Sequence, residues 1–228
     1  MAHLSGWRIF RTAVRAVLVL VLAFYALCLG GLAAMRWVNP PTTAVQTERR
    51  IAAWWHHKSY RKRQTFVPLS RISPELQHAV ISAEDGRFYQ HHGIDWEEVQ
   101  KVVDQDREEG KLGRGGSTIT QQLVKNLFLT TNRSLIRKGV EFTLTYAAEW
   151  LLPKRRILEL YLNEIEWGPG VYGAEAAART WYNEPAAKVN REQGAKMAAI
   201  LPAPLRWKPE HMTEYSAEIL RRMEQVGW

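Results

Sequence analysis

The chain of 228 residues is long enough for one ordinary globular domain and a smaller additional segment. Hydrophobic residues make up 46% and charged residues 24%, a balance that excludes a disordered or low-complexity chain. The excess of 31 Lys and Arg over 23 Asp and Glu gives a net charge of +8. This charge favours an anionic partner, such as nucleic acid, phospholipid or a phosphorylated substrate. The single cysteine, Cys28, excludes an internal disulfide framework and a zinc site made of several cysteines.

The additional segment lies at the N-terminus, where residues 16–35 form an uncharged apolar run. A helix of this length spans about 30 Å, the thickness of a bilayer's hydrocarbon core. We therefore predict a transmembrane helix over residues 16–36, preceded by a cytoplasmic segment at 1–15. The alternative is a cleaved signal peptide, but the run is long for one and Leu32 stands where a small residue is expected.

The flanking charges say little about the orientation of this helix. Three arginines precede it and three follow within a comparable distance, so the positive-inside count is nearly balanced. The short N-terminal segment favours a cytoplasmic N-terminus, because long domains are translocated regardless of charge. This predicts a catalytic domain outside the cytoplasm.

A juxtamembrane segment, residues 37–66, follows the anchor and begins with the helix-breaking pair Pro40-Pro41. Its second half, residues 54–66, mixes aromatic residues with four Lys or Arg. Such a composition suits the headgroup layer of a membrane, where aromatic rings and cations both find partners. An exposed basic loop explains it equally well, and both interpretations stand.

The remaining residues, 67–228, are expected to form one mainly helical domain. Helix starts are indicated by Ser73 before Pro74, by Ser134, and by three pairs of capping residues spaced three apart. Those pairs are Asp95 with Glu98, Thr118 with Gln121, and Asn190 with Gln193. A last helix is predicted over 213–226. No convincing alternating strand pattern and no internal repeat are visible.

The pair Glu84-Asp85, at the end of an apolar helix, is the first polar segment that helix periodicity and capping do not explain. Carboxylates there oppose the helix dipole, and one that lies against apolar walls has a raised pKa and becomes a usable general base. The plain alternative is a solvated turn. A metal site made of Glu84, Asp85, His91 and His92 fits no standard ligand spacing.

A second segment is the glycine-rich run 113–116, which leads into a helix that begins near Thr118. Such a loop presents backbone N–H groups to an anion, but it lacks the Gly-Lys-Ser/Thr ending of a nucleotide-binding P-loop. Lys125 comes two turns later, on a face where it reaches a phosphate. The alternative is that the Ser and Thr residues only cap the helix.

Arg137, Lys138 and Glu141 form a third polar segment. Arg137 and Glu141 have the i, i+4 spacing of a surface ion pair worth a few tenths of a kcal/mol. They equally fit a second functional carboxylate with cations beside it, and spacing does not choose between the two. The later stretch, residues 154–178, mostly reads as scaffold.

Taken together, five motifs in order resemble the peptidoglycan glycosyltransferases of glycosyltransferase family 51, and within it the monofunctional biosynthetic transglycosylases. The motifs cover roughly residues 70 to 210. They are Glu84-Asp-x-x-Phe88-x-x-His91-x-Gly93; Gly115-x-Ser-Thr-Ile-Thr-Gln-Gln122 with Lys125-Asn126; Arg137-Lys138-x-x-Glu141; Lys154-x-x-Ile-Leu-Glu159-x-Tyr-Leu-Asn163; and Gly173-Ala-Glu175-x-Ala-Ala.

This resemblance implies a fold and a reaction. The fold is a lysozyme-like α-helical head with a small membrane-proximal jaw. The reaction is polymerisation of lipid II into β-1,4-linked glycan strands by inverting transfer, with release of undecaprenyl pyrophosphate. The implied location is the bacterial inner membrane, with the catalytic domain in the periplasm. Cell-wall synthesis or division proteins are further candidate partners, and nucleic acid drops out.

The resemblance also implies roles for individual residues. Glu84 matches the general base and Glu141 a second carboxylate that assists at the donor. Residues expected at the donor and its pyrophosphate are Ser117, Thr118, Gln121, Lys125, Asn126, Arg137, Lys138 and Arg206. Residues expected to shape the site are Asp85, Phe88, His91 and Gly93. No cofactor is required and no protein metal site is expected, although a divalent cation, Mg²⁺ or Mn²⁺, is an optional ligand of the pyrophosphate.

Elementary chemistry favours this reaction over its nearest rival, a membrane-anchored muramidase that cuts glycan. A hydrolase of the lysozyme type protonates the leaving oxygen, whereas a pyrophosphate leaves as an anion and needs cations. A non-catalytic anchor that binds anionic lipid or nucleic acid through residues 58–63 is a second rival.

The segment 104–116 is predicted to be a flexible lid over the groove, to be tested by proteolysis with and without a donor analogue.

Overall fold

A computed structural model describes residues 2–109, 116–132 and 134–228, with side chains from residue 7 onward except 105–109. Within these residues the protein has ten α-helices and three short strands, which confirms the predicted mainly helical class. The helices are α1 Ala2–Ala34, α2 Ala44–Trp55, α3 Pro74–Glu84, α4 Trp96–Glu109, α5 Ile119–Phe128, α6 Leu135–Leu151, α7 Lys154–Glu164, α8 Ala174–Tyr182, α9 Arg191–Ala199 and α10 Thr213–Gln225. The strands are β1 Arg63–Gln64, β2 Glu166–Gly168 and β3 Val171–Tyr172.

Most predicted helix starts are confirmed by their capping bonds. Ser73 accepts a hydrogen bond from the Leu76 N–H, and the Thr118–Gln121 and Asn190–Gln193 pairs each form a complete capping box. Ser134 precedes α6, but its side chain makes no capping bond. The predicted lid falls partly in α4, and its residues 110–115 lie outside the described residues.

Two elements were not predicted from the sequence. Helix α2 occupies part of the segment assigned to a juxtamembrane linker. It begins at Ala44 and is capped by Thr43, whose hydroxyl accepts from the Gln46 N–H. The strands form a sheet in the order β1-β3-β2, with β1 parallel and β2 antiparallel to β3. Strands of two or three residues are too short to show alternation, which is why the sequence pattern missed them.

Helix α1 is the one helix among the described residues that is long and apolar enough to cross a membrane, over Trp7–Ala34. Its last turns also belong to the folded domain, because Leu32 is fully buried and Cys28 is 3% exposed in the main hydrophobic core. The Arg156 guanidinium of α7 donates to the Met35 and Val38 carbonyl oxygens, at 2.7 and 3.1 Å. The end of the span is thus fixed against the domain.

The catalytic candidates lie where three helices of this core meet. Helix α5 packs between α6 and α7, and α3 packs on α9 and α10. The fully buried side chains of Leu76, Leu123, Leu144 and Ile157 come from four of these helices and fill the space between them. This packing holds the end of α3, the length of α5 and the first turns of α6 close together.

Candidate active site

The Glu84 carboxylate stands at the C-terminal end of α3, where the sequence placed it. Burial raises its pKa above the ordinary carboxyl value; a hydrogen bond from Gln122 and the charge of Lys125 oppose this shift only in part, and Asp85 adds to it. The side chain is nevertheless partly exposed, at the wall of a cleft of about 550 Å³ that Ser117 and Thr118 also line. A carboxylate with a raised pKa at a cleft wall is equipped to take a proton from a bound hydroxyl group.

A chain of hydrogen bonds orients Glu84. The Gln122 Nε2 atom donates to Glu84 Oε2 at 2.6 Å, and the Tyr161 hydroxyl donates to Gln122 Oε1 at 2.8 Å. Tyr161 is fully buried, and burial raises its pKa well above the usual tyrosine value, so its hydroxyl keeps its proton. The tyrosine therefore fixes which way the Gln122 amide faces, and the amide N–H in turn holds one oxygen of Glu84.

Sequence reasoning missed the parts that Gln122 and Tyr161 play. The motif predicts a substrate-binding role for Gln121 and no role for the adjacent Gln122. In the structure Gln121 is 1% exposed and its Oε1 atom accepts from the Thr118 N–H within the capping box. Tyr161 lies in a stretch that reads as scaffold, and it comes 39 positions after its partner Gln122.

Asp85, next to Glu84, joins two helices. Its Oδ1 atom is 2.8 Å from His91 Nε2, and its Oδ2 atom accepts from the Ile119 N–H at the start of α5. Because the N-terminus of a helix carries partial positive charge, this buried carboxylate is well placed there. Asp85 thus fixes the end of α3, and with it Glu84, against α5.

Gly93 and Phe88 complete the frame around Glu84 and Asp85. Gly93 has a φ of +94°, and a Cβ atom there would come 2.9 Å from Thr145 Cγ2, so a larger residue does not fit. Its carbonyl oxygen accepts from the Thr118 hydroxyl at 2.5 Å. Phe88 is fully buried, with the Lys154 ammonium 4.4 Å from its ring centroid.

Asp85, His91 and Asp95 form a buried group whose ligand-type atoms lie within 4.8 Å of one another. Protein partners engage the oxygens of both aspartates and His91 Nε2, whereas His91 Nδ1 has no hydrogen-bond partner among the described residues. Both Asp85 oxygens are hydrogen bonded, Asp95 Oδ1 accepts from the Glu98 N–H, and Asp95 Oδ2 is 3.5 Å from Arg87 Nε. The group is explained as a structural hydrogen-bond network.

The second carboxylate, Glu141, lies on α6 and is 3% exposed. One of its oxygens pairs with the Arg137 guanidinium and the other is 2.5 Å from Lys138 Nζ. The Lys138 ammonium also donates to the Ser117 hydroxyl at 3.1 Å, which ties α6 to the start of α5. The i, i+4 spacing therefore belongs to a buried pair and not to a surface pair.

Lys125 connects the two carboxylates electrostatically. Burial lowers its pKa; the charges of Glu141 and Glu84 counter this shift, while Arg137 and Lys138 reinforce it. All five charges therefore act within one site. Lys125 and Asn126 also line a second cavity of about 160 Å³, together with Gln122 and Tyr161. The Asn126 amide donates to the Gln122 carbonyl oxygen at 2.8 Å.

Arg206 is the one predicted site residue that the structure places apart from this cluster. The loop before it, Leu201 to Pro204, contributes to the wall of the second cavity, but the Arg206 side chain is exposed and lines neither cavity described above. Its backbone N–H donates to the Ala203 carbonyl oxygen within the turn that follows α9. The geometry brings together the other predicted site residues and leaves Arg206 at the periphery.

The cluster is suited to base-assisted transfer from an anionic donor. It combines one carboxylate that is able to accept a proton with three cations that are able to stabilise a departing phosphate oxygen. Both oxygens of Glu141 are occupied by cations, so this residue does not present a proton to a leaving group. Together the fold and the site define a membrane-attached helical transferase.

Comparison with known proteins agrees with this class. The sequence model of the family described as "Transglycosylase" matches residues 48–226, and the chain belongs to this family. It is similar to proteins named "Biosynthetic peptidoglycan transglycosylase" in several bacteria. The identity is 46% in Rhodospirillum centenum, over 90% of this chain and 89% of that protein. It is 42% in Pseudomonas entomophila, over 85% and 83%, and 38% in Bordetella pertussis, over 98% and 96%.

Proposed function

We propose that this protein polymerises lipid II into β-1,4-linked peptidoglycan strands. Its family membership and the names of its relatives support this activity, and the pairing of Glu141 with two cations carries the argument from the structure. A muramidase of the lysozyme type works with a pair of carboxylates, whereas Asp85 and Glu141, the other two carboxylates of this site, have both oxygens engaged by protein partners. The transferase is therefore favoured over the hydrolase.

In the proposed reaction Glu84 removes the proton from the 4-hydroxyl group of the lipid II GlcNAc. The resulting oxygen attacks the anomeric carbon of the lipid-linked growing chain. The bond from that carbon to the pyrophosphate breaks, and undecaprenyl pyrophosphate leaves with the bonding electron pair. Attack opposite to the leaving group inverts the α-linkage into a β-linkage.

The cations are assigned to the departing pyrophosphate. Lys125, Arg137 and Lys138 stabilise the charge that develops on the leaving oxygen, and this stabilisation is worth more in a partly buried site than in water. Glu141 holds Arg137 and Lys138 in place while they do so. Ser117 positions the Lys138 ammonium through the contact between them.

The optional divalent cation, Mg²⁺ or Mn²⁺, is proposed to bind to the pyrophosphate oxygens of the substrate and to water. Glu141 is not assigned to it, because a Lys or Arg side chain already pairs with each Glu141 oxygen. No step above depends on such an ion. Arg206 is proposed to act at the rim of the site, where its exposed side chain contacts the substrate once the substrate is bound.

The proposed location is the bacterial inner membrane. The apolar helix and the lipid-linked substrate support it, with the N-terminus in the cytoplasm and the catalytic domain in the periplasm. Association with cell-wall synthesis or division proteins remains a proposal to be tested by crosslinking in cells.

The deciding experiment supplies the purified full-length protein with lipid II and, separately, with finished glycan strands. Growth of polymer from lipid II, with the glycan left intact, is the expected result. Shortening of the glycan strands without polymer growth would replace the transferase by the muramidase.

A further inference from the structure

A cavity of about 470 Å³ lies at the start of helix α10, outside the cluster of catalytic candidates. Its wall comes from the loop that follows α9 and from the first turn of α10, and it consists of Trp207, His211, Met212, Thr213, Glu214 and Tyr215. Trp207 is 39% exposed, so its ring is open to a ligand. This space, the α10 cavity, has no part in the reaction described above.

The α10 cavity adjoins the catalytic cleft, because Tyr215 lines both. Burial raises the pKa of Tyr215, and the negative charge of Glu84 raises it further, so the phenol lies within electrostatic range of the base. The other charges that act on Tyr215 come from its own helix, and the three cations assigned to the pyrophosphate are not among them. Lys125 lines the separate cavity of about 160 Å³. Tyr215 therefore lies on the side of Glu84 that faces away from the cations.

The proposed reaction gives this side of Glu84 to the acceptor. In an inverting displacement the attacking oxygen approaches the reacting carbon opposite to the leaving group. With the pyrophosphate at the cations, the acceptor lipid II lies towards Tyr215. Its GlcNAc presents the 4-hydroxyl group to Glu84, and the adjoining MurNAc carries the peptide. The peptide thus leaves the acceptor one sugar away from Glu84, beside the α10 cavity.

The residues of the α10 cavity suit a ligand with both apolar and charged groups. Trp207 and the partly buried Met212 offer apolar surface, and the Glu214 carboxylate is exposed. Arg206, next to Trp207 in the chain, adds an exposed positive charge. The peptide of lipid II combines alanine methyl groups with free carboxylates and an amine, and each of these finds a matching group here. A strand of neutral sugars has no charge to pair with Arg206 or Glu214.

We propose that the α10 cavity binds the peptide of the acceptor lipid II and thereby selects acceptors that carry it. The Trp207 indole packs on the alanine methyl groups, and the Glu214 carboxylate pairs with the peptide amine. This inference rests on the proposed function, which places the acceptor hydroxyl at Glu84.

The test follows a single transfer from labelled lipid II whose own 4-hydroxyl is methylated, so that this molecule reacts only as donor. The acceptor is lipid II with its peptide, or the same molecule with a methylamide in place of the peptide. Wild type, Trp207→Ala and the control Leu205→Ala are compared as purified full-length proteins. Leu205 lies in the same loop, is 44% exposed and lines neither the cleft nor the α10 cavity.

We expect the KM of wild type to be about tenfold lower for the peptide-bearing acceptor than for the methylamide, and Trp207→Ala to lose this preference with the aromatic contact. Leu205→Ala should keep the ratio of wild type. A wild type without the preference would overturn the proposal. An equal rise of both KM values in Trp207→Ala would also overturn it and would favour a sugar as the occupant.

Glu214→Gln keeps the test decisive if loss of the indole disturbs the loop. It should raise KM about threefold for an acceptor with a free peptide amine, the size of an exposed ion pair. The same acceptor with its amine acetylated should bind the variant and wild type equally well. Equal effects of Glu214→Gln on the free and the acetylated acceptor would contradict the pairing and the proposal with it.

Polymerisation by the wild type separates failure of the α10 cavity from failure of the proposed function. A wild type that polymerises lipid II and shows no preference for the peptide refutes the α10 cavity alone. A wild type that forms no polymer from lipid II refutes the proposed function, and with it the assignment of the acceptor side.

Discussion

Glu84 and Glu141 are the same side chain in two opposite settings. Glu84 lies at a cleft wall with one neutral hydrogen-bond donor, and burial raises its pKa. Glu141 is almost fully buried, and a cation contacts each of its oxygens. The comparison teaches that the partners of a carboxylate, more than its burial, decide whether it acts as a base or as a holder of cations.

The largest expected effect comes from removing the proton acceptor. Glu84→Gln should lower the rate of polymerisation by about a thousandfold, because the amide does not take the proton of the attacking hydroxyl. The melting temperature should change little, since Gln122 still has a neighbouring oxygen to bind. Product formation from labelled lipid II and a thermal melt measure the two quantities.

The matched control for this variant is Glu224→Gln, at an exposed position of the last helix. It should polymerise like wild type. An active Glu84→Gln protein would refute the assignment of the base and would revive the non-catalytic anchor as an explanation.

Glu141→Gln tests the other side of the comparison. Loss of the charge leaves Arg137 and Lys138 without their ionic partner, so we expect kcat to fall by about a hundredfold and the melting temperature to fall as well. Glu218→Gln is the control, because it breaks an exposed pair of the same i, i+4 spacing with Arg222. An unchanged kcat in Glu141→Gln would show that the pairing of Glu141 with Arg137 and Lys138 serves stability and not the reaction.

Tyr161→Phe sharpens the account of Glu84, because it removes only the hydroxyl that fixes Gln122. We expect a loss of about tenfold at pH 7. The hydrogen bond from Gln122 lowers the pKa of Glu84, so its weakening raises that pKa further. Since the base works when deprotonated, the acid limb of the rate profile should move to higher pH.

Tyr182→Phe is the control for this variant, because the Tyr182 hydroxyl is buried and has no hydrogen-bond partner. Its rate profile should coincide with that of wild type. A Tyr161→Phe profile that is lower at every pH, without a shift of the limb, would contradict the positioning role.

The smallest effect on activity is expected at Glu164, a buried carboxylate outside the site. Burial raises its pKa to about 7, although Gln64 and Gln46 each donate to its Oε2 atom. A carboxyl whose pKa is raised on folding favours the folded state below its unfolded pKa of 4.5, and this contribution is lost as the pH rises through about 7.

Glu164→Gln should therefore stabilise the protein at pH 8, by up to about 3 kcal/mol, and raise its melting temperature there, with no difference near pH 4. Polymerisation should stay at the wild-type rate. A stabilising effect of equal size at both pH values would show that packing, and not ionisation, is responsible. A wild-type rate of polymerisation in Glu164→Gln would show that a raised carboxyl pKa is not by itself a sign of catalysis in this protein.

Local patterns in the sequence were sufficient for the helices that carry the site. The capping residues at Ser73, Thr118 and Asn190 act within three positions, and the structure shows each of those bonds. The contacts between Tyr161, Gln122 and Glu84 could not be predicted from the sequence, because they join three helices and produce no periodic pattern in it. Gln121 and Gln122 are neighbours in the chain, and only the rotation of α5 shows that the second faces Glu84.

The sequence by itself determined a membrane helix, a mainly helical domain and a set of acidic and basic residues suited to phosphorylated donors. These follow from composition and from interactions between residues close in the chain, and both can be inferred from the sequence without knowledge of the fold. Tertiary structure decided that Glu141 is paired, that Glu84 is held by Gln122, and that the end of α1 is part of the core. Those outcomes depend on contacts between distant segments, where burial and charge set the chemistry of each group.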